Sequence, residues 1–396
     1  MRTIIKSNEI YTEGGVLNGY IIFEDNKIID ITEEVPVGEI IDYSKYRVIP
    51  GIIDIHNHGF GGWSMTDPAN KEDIIGFCKS LATVGVTGVL PTAKEEAFVA
   101  IHDVMQSDYE GARIHGIHSE GPFWARGGEN TIGMTWPTPS LEETKRLVEL
   151  ANGSLKMMAI APELENAYDV IKYLHSENIK VACCHTKAKS QQIHDAERKV
   201  KLDIATHLGN GMQGIHHRDV GALGALLLEN NIQYELIADL NHVCSEMMQL
   251  MFKCQPYDKF CLISDSNFMA GLPTGRYIRY DREMFSDEKG LILNSDGRIC
   301  GSGKWVLSNM EKLEKIVKVP FEEIVKMASL NPAKFLGINQ NTGSLTIGKE
   351  ADIVIINHDY EVLRTYIQGK IGFDSAINKK EDFYNHEAMK KKIAEL

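Results

Sequence analysis

Histidines and carboxylates recur in this chain at one kind of place, the end of a short apolar run. His56 and His58 close the run Gly51 to His56 as His-Asn-His, and the period of two in extended chain points both imidazoles to one side. Glu120 ends the run Arg113 to Glu120 within His118-Ser119-Glu120-Gly121-Pro122, where Gly-Pro leaves room beside the carboxylate. His185, His207 and Asp265 end the runs Lys180 to His185, Asp203 to His207 and Phe260 to Asp265. Imidazoles grouped with a carboxylate are borderline donors, suited to Zn²⁺ or Fe²⁺ rather than Mg²⁺. A lone buried histidine is more often hydrogen-bonded core than ligand. The repetition of the same placement is what argues for a metal centre. His102, His175, His194, His358 and His386 fall on helices or loops, and His115 inside a strand, so these read as ordinary residues.

Chemistry at run ends needs a scaffold that gathers them. Three further runs, Thr87 to Thr92, Lys156 to Ala161 and Tyr234 to Leu240, complete a series of eight. Helical periodicity separates them, as in Ile74, Ile75, Cys78, Leu81 and Ala82, or Val170, Ile171 and Leu174. Strands alternating with helices at this spacing predict an α/β fold, a (β/α)8 TIM-like barrel whose catalytic rim is the C-terminal end of its strands. An open doubly wound sheet usually carries a Gly-rich phosphate turn after its first strand, and neither GxGxxG nor GxxxxGK[ST] is present.

The flanks of the chain read differently. Residues 1–50 hold strand-like pieces separated by Gly14-Gly15, Asn18-Gly19 and Asp25-Asn26, and Gly343 to Ile356 reads as strand, turn, strand. Segments 1–50 and 340–375 are therefore expected to build one small β-sandwich domain around a barrel of 51–339. A Lys- and Glu-rich tail, 376–396, is expected as a solvated helix.

Charge and cysteine usage narrow the class. The 42 Lys and Arg against 55 Asp and Glu leave a net charge of -13, which repels a nucleic-acid backbone. The 7 Cys show no disulfide framework and no CxxC spacing, and read as buried small hydrophobes; adjacent Cys183 and Cys184 invite a redox reading that a buried strand disfavours. No apolar run is long enough for a bilayer and the N-terminus turns polar early, so the expectation is no membrane partner and a cytoplasmic location.

A family resemblance rests on particular stretches. Pro50-Gly51-Ile52-Ile53-Asp54-Ile55-His56-Asn57-His58-Gly59, Gly116 to Phe123, Thr206-His207-Leu208-Gly209-Asn210-Gly211-Met212, and Ser264-Asp265-Ser266 resemble the amidohydrolase superfamily. Within it they are most similar to the family of N-acetylglucosamine-6-phosphate deacetylases. The resemblance implies that His56, His58, Glu120, His185 and His207 hold one or two divalent ions, zinc or iron, with Glu120 bridging them if both sites fill. It implies Asp265 as general base and then general acid in amide hydrolysis, and His242 as a catalytic and substrate-binding histidine. Asn210 and Gly211, where the family usually has Asn-Ala, would contact substrate. Arg218 matches an arginine that reaches the sugar phosphate in a neighbouring subunit's site, which implies a homodimer.

Two departures touch the substrate rather than the hydrolytic groups. The family's Gly-Ala-His or Gly-Ala-Gln after Phe123 is replaced by a rebuilt loop from Trp124 to Trp136, and Arg218-Asp219-Val220-Gly221 replaces Arg-Glu-Pro-Gly. The leading expectation is hydrolysis of N-acetylglucosamine 6-phosphate to glucosamine 6-phosphate and acetate. The alternatives are the same chemistry on another acetamido sugar phosphate or an N-acyl amino acid, and a catalytically silent scaffold. A full ligand set disfavours the scaffold.

Overall fold

The computed structural model describes residues 2–128, 134–279, 282–390 and 392–393. Its centre is a parallel barrel whose strands follow chain order: Ile52–Asn57, Val86–Pro91, the pair Arg113–Ile114 and Ile117–Phe123, Leu155–Ile160, Lys180–Cys183, Ile204–Ala205, Gln233–Leu236 and Phe260–Leu262. The third strand breaks at His115-Gly116. Its first piece pairs with the second strand and its second piece with the fourth, while a Thr92–His118 bridge spans the gap above. The ring closes where the Asp265 N–H donates to the His56 carbonyl at 3.0 Å and the His58 N–H to the Ser266 carbonyl at 2.8 Å.

Helices Lys71–Ala82, Glu95–Met105, Leu141–Leu150, Ala167–Ser176, Ser190–Val200, Gly221–Leu228, Ser245–Cys254 and Val306–Lys312 follow the strands in turn, giving the (β/α)8 order. The first is typical. Asn70 accepts from the Glu72 and Asp73 N–H groups, Asp73 returns the bond, and Ile74, Phe77, Cys78 and Leu81 are buried along one face.

Alternation along the strands decides what lines the barrel. Ile53, Ile55, Leu90, Met157, Ala159, Ala182, Cys184, Ile204, Ile237, Cys261 and Ile263 form the interior cluster, closed below by Ala333 and Phe335 of helix Leu330–Leu336. Their neighbours Ile52, Val181, Cys183, Ala205, Leu236 and Leu262 belong to the outer core against the helices. The interior is thus mainly a packed apolar plug, with the polar groups of the strand ends above it and Glu235 reaching up among them from the seventh strand.

Strands from both ends of the chain share one eight-stranded sheet, in the order Lys370–Asp374, Val362–Ile367, Ile353–Ile356, Arg47–Pro50, Arg2–Thr12, Gly15–Glu24, Lys27–Thr32, with Ile40–Asp42 beside Arg2–Thr12. Ile353 pairs with Pro50 and Ile356 with Arg47, so the barrel is entered directly from this small β domain. Ile5, Ile10, Ile21, Phe23, Val48, Ile353 and Ile355 fill its core.

Three expectations need correction. Gly343 to Ile347 is not a strand: Leu345 makes a single bridge to Thr12, and the strand starts at Ile353. The tail is not a solvated helix. Its described part is a turn at Lys380–Phe383, a short helix at His386–Lys390 and a two-residue strand, Lys392–Ile393, that pairs antiparallel with Gly275–Arg279; Tyr384 is buried against Phe60 and the Trp63 indole donates to the Phe383 carbonyl at 3.1 Å. The cysteines divide: Cys78, Cys183, Cys184 and Cys261 are buried, whereas Cys244 and Cys254 are exposed. An antiparallel meander, Gly275–Arg279, Arg282–Ser286, Leu291–Asn294 and Ile299–Ser302, is inserted between the last barrel strand and its helix, and nothing in the sequence reading anticipates it. It bears on the site, because the Ser302 N–H donates to the Asp265 carbonyl at 3.0 Å.

Candidate metal centre

The groups expected at the strand ends do meet above the plug, and backbone irregularities bring them there. Ile53 and Ile55 face inward, so strict alternation would turn His56 away; a register shift between Asp54 and Asn57 returns it to the mouth. His185, His207 and Asp265 lie two or three residues past the last ladder residue of their strands, at φ of 44°, 31° and 48°. Non-glycine residues rarely occupy this left-handed region, and their clustering marks a site held by its surroundings. The His185 carbonyl accepts from the Ala125 and Arg126 N–H groups at 3.0 and 2.9 Å, so the loop after the third strand holds that turn.

Glu120 stands at the middle with one oxygen on each side. Its Oε2 lies 3.2 Å from His58 Nε2 and 3.8 Å from His56 Nε2, and Asp265 Oδ1 lies 3.3 and 3.4 Å from the same two nitrogens. Its Oε1 lies 3.2 Å from His185 Nε2 and 3.0 Å from His207 Nε2. Two half-sites share one carboxylate: His56, His58 and Asp265 on one side, His185 and His207 with Cys184 on the other.

Hydrogen bonds behind the ring nitrogens orient them. His56 Nδ1 donates to Glu235 Oε2 at 2.9 Å, and His207 Nδ1 to the Asn210 carbonyl at 3.2 Å, so both present Nε2 to Glu120. Glu235 also accepts from the His207 N–H at 3.1 Å and thereby couples the two half-sites from beneath. Asp54 accepts from Ser264 Oγ at 2.6 Å and Asn57 Nδ2 at 2.9 Å, tying the first strand to the last.

Electrostatics in the metal-free protein show what the site wants. Burial would strip protons from His56 and His58, yet Glu235, Asp265 and Glu120 raise His56 well above its ordinary value, and hydrogen bonds to Asp265 and Glu120 raise His58 to about 9. Burial would likewise protonate Glu120 and Asp265, but the His56 charge and the ring hydrogen bonds hold both below the usual carboxylate range. Positive charge is thus drawn between two carboxylates and clustered Nε2 atoms, the environment in which a divalent ion replaces protons. The donor set fits such an ion.

A profile of the amidohydrolase family matches residues 47–372. The chain belongs to the amidohydrolase family. It is 32% identical over 389 residues to N-acetylglucosamine-6-phosphate deacetylase of Bacillus subtilis, covering 94% of this chain and 97% of the relative. It is 29% identical over 380 residues to N-acetylgalactosamine-6-phosphate deacetylase of Escherichia coli O157:H7, covering 94% and 99%. Its fold is similar to the crystal structure of N-acetylglucosamine-6-phosphate deacetylase from Pasteurella multocida, with a TM-score of 0.85 at 24% identity over 94% of this chain and 99% of that one.

Of the remaining expected residues of this amidohydrolase, Asn210 and Gly211 abut the cluster at His207 and His185. His242 follows the seventh strand, and its Nδ1 meets Asp239 Oδ2 at 2.8 Å. That bond holds the Asp239 carboxyl below its ordinary range against the opposing effect of burial. Gly211 has φ +61°, and a Cβ there would lie 2.7 Å from His185 Nδ1 and 3.1 Å from its Cε1. The glycine therefore makes room for the His185 ring. Arg218 is exposed in a tight turn where His216 bridges Asp219. Of the rebuilt loop, Glu129 to Gly133 lies outside the described residues, while Trp124 covers the His185 ring at 4.2 Å and meets Trp136 at 5.5 Å between centroids.

Sequence reasoning missed Glu235, Asp239 and Cys184. Glu235 had a readable signal, an acid between outward-facing Tyr234 and Leu236 on a buried strand.

Proposed function

We propose that the protein is a metal-dependent deacetylase that hydrolyses N-acetylglucosamine 6-phosphate to glucosamine 6-phosphate and acetate. The observation that carries this reading is Glu120, whose two oxygens each face a separate pair of imidazole nitrogens. His56 and His58 with one Glu120 oxygen, and His185 and His207 with the other, are the residues that would hold one or two ions of zinc or iron. Such an ion supplies Lewis acidity that makes water a nucleophile near neutral pH and polarises an amide carbonyl.

The chain's own groups do the rest. Asp265, ionised and 3.3 Å from His58 Nε2, takes a proton from the attacking water at its carboxylate and returns it to the leaving amine nitrogen. His242, fixed through Nδ1 by Asp239, turns Nε2 to the acetyl carbonyl or a sugar hydroxyl. Asn210 and Gly211 line the substrate side. Arg218 pairs with the phosphate of a substrate bound in the neighbouring subunit, so the active form is a homodimer, and a phosphorylated small molecule fits a cytoplasmic enzyme. Among the described residues no helix is long and apolar enough to cross a membrane.

A second reading, the galactosamine epimer as substrate, is favoured by the rebuilt Trp124 to Trp136 loop and by the Escherichia coli relative. Acetate release from N-acetylglucosamine 6-phosphate, N-acetylgalactosamine 6-phosphate and unphosphorylated N-acetylglucosamine separates the two. Fastest turnover of the first supports the leading reading, and preference for the second replaces it. No turnover of either phosphorylated sugar refutes both.

A further inference from the structure

We infer that Cys184 is a sulfur ligand in the His185–His207 half of the metal site, making that half selective for thiophilic ions. This rests on the reading of Glu120, His185 and His207 as metal ligands.

Cys184 stands directly before His185, one residue past the end of the fifth strand, and shares the interior cluster with Ala182 at the top of the apolar plug. Its N–H still donates to the Ile160 carbonyl at 3.3 Å, so the ladder fixes its direction. The left-handed turn at His185 then aims the next side chain at the same point. Two consecutive residues, which ordinary alternation would send to opposite faces, converge on Glu120.

The distances are those of a coordination shell. Cys184 Sγ lies 3.5 Å from Glu120 Oε1 and 3.8 Å from His207 Nε2, while Glu120 Oε1 lies 3.2 and 3.0 Å from His185 and His207. Ligand lengths of about 2.3 Å for sulfur and roughly 2.0–2.2 Å for nitrogen and oxygen, at the tetrahedral angle, give edges of about 3.5 Å for sulfur to oxygen or nitrogen and about 3.4 Å for nitrogen to oxygen. Every observed edge falls within about 0.4 Å of these values. All four donor atoms lie within 4.8 Å of one another. Four protein donors fill the tetrahedral shell of this half, so the open position for water falls to the His56, His58 half.

Coordination converts the thiol to thiolate and releases its proton to solvent. A Cys, Glu, His, His donor set favours Zn²⁺, Co²⁺ or Cd²⁺ over Mn²⁺ or Mg²⁺, whereas the His56, His58 half offers only nitrogen and oxygen.

Cobalt supplies a readout independent of activity. Metal-free wild-type protein, Cys184→Ser, Cys184→Ala and the controls Cys183→Ser and Cys244→Ser are titrated with Co²⁺ while bound cobalt and near-ultraviolet absorbance are measured. Sulfur-to-cobalt charge-transfer absorption is expected in wild type and both controls and absent from both Cys184 variants. The preference for Cd²⁺ over Mn²⁺ should fall in those variants by at least the roughly ten- to hundredfold that loss of a supporting group costs a metal site. Wild type that binds cobalt without this absorption overturns the assignment, and this result does not depend on either variant folding. Acetate release in the same samples separates the two claims: activity without the absorption rejects Cys184 alone, and failure to bind cobalt rejects the metal site and the proposed function with it.

Discussion

Replacing Glu235 by glutamine removes a charge that lies beneath the site yet should be felt by both halves of it. Glu235 is fully buried, accepts the His56 Nδ1 proton at 2.9 Å and the His207 backbone proton at 3.1 Å, and keeps His56 Nε2 turned to Glu120 and Asp265. A glutamine of the same shape retains one acceptor oxygen but offers no negative charge to His56. A hydrogen bond to a charged group contributes about 1.5–3 kcal/mol, so metal affinity should fall by a factor on the order of ten to a hundred. The fold itself should survive, because the substitution also removes the cost of burying a carboxylate. Competition for Zn²⁺ against a chromophoric chelator gives the affinity, and thermal melting of the metal-free variant checks the fold. A Zn²⁺ affinity within about twofold of wild type, in a folded variant, refutes the coupling through Glu235.

Gly211→Ala forces a Cβ to within 2.7 Å of His185 Nδ1 at φ +61°, so it should lower stability by about 1–2 kcal/mol from backbone strain and reduce metal stoichiometry on the His185 side; denaturant melts and elemental analysis read both. The pH dependence follows from His58, raised from 6.5 to about 9 in the metal-free protein. Its stabilising contribution is complete below the unfolded value and is lost as pH rises through about 9, and metal must displace the same proton. Loading at neutral pH should therefore release protons into a weakly buffered solution, and apparent metal affinity should climb with pH up to about 9. Arg218→Ala should raise KM for the phosphorylated sugar roughly ten- to a hundredfold and leave the unphosphorylated sugar almost unchanged. If the site is shared, mixing Arg218→Ala with Asp265→Asn protomers should restore activity in hybrid dimers.

The barrel was legible because eight apolar runs alternated with amphipathic helices, and the metal candidates because their donors recurred at the ends of those runs. What the sequence concealed was backbone direction. Period-two reasoning accounts for Cys184 pointing inward but not for His185 pointing the same way, since that depends on a left-handed residue held by Ala125 and Arg126 across the mouth. Gly211 was visible as a departure, yet its reason, the position of the His185 ring, exists only in three dimensions. The meander before helix Val306–Lys312 went unread because its strands are short and half-exposed, with no continuous apolar face. The tail misled for the opposite reason: its charge suggested solvation while two aromatics, Phe383 on Phe373 and Tyr384 on Phe60, dock it onto the body of the protein.

In the proposed function, ions held around Glu120 drive amide hydrolysis. That role is tested most directly by titrating metal-free protein with Zn²⁺ while following acetate release from N-acetylglucosamine 6-phosphate, with Glu120→Gln in parallel. Acetate release should be absent without metal, rise with added Zn²⁺ and saturate at one or two ions per chain, and Glu120→Gln should show neither tight binding nor release. Release that persists after chelation, or a Glu120→Gln variant that binds metal and turns over like wild type, would contradict that role.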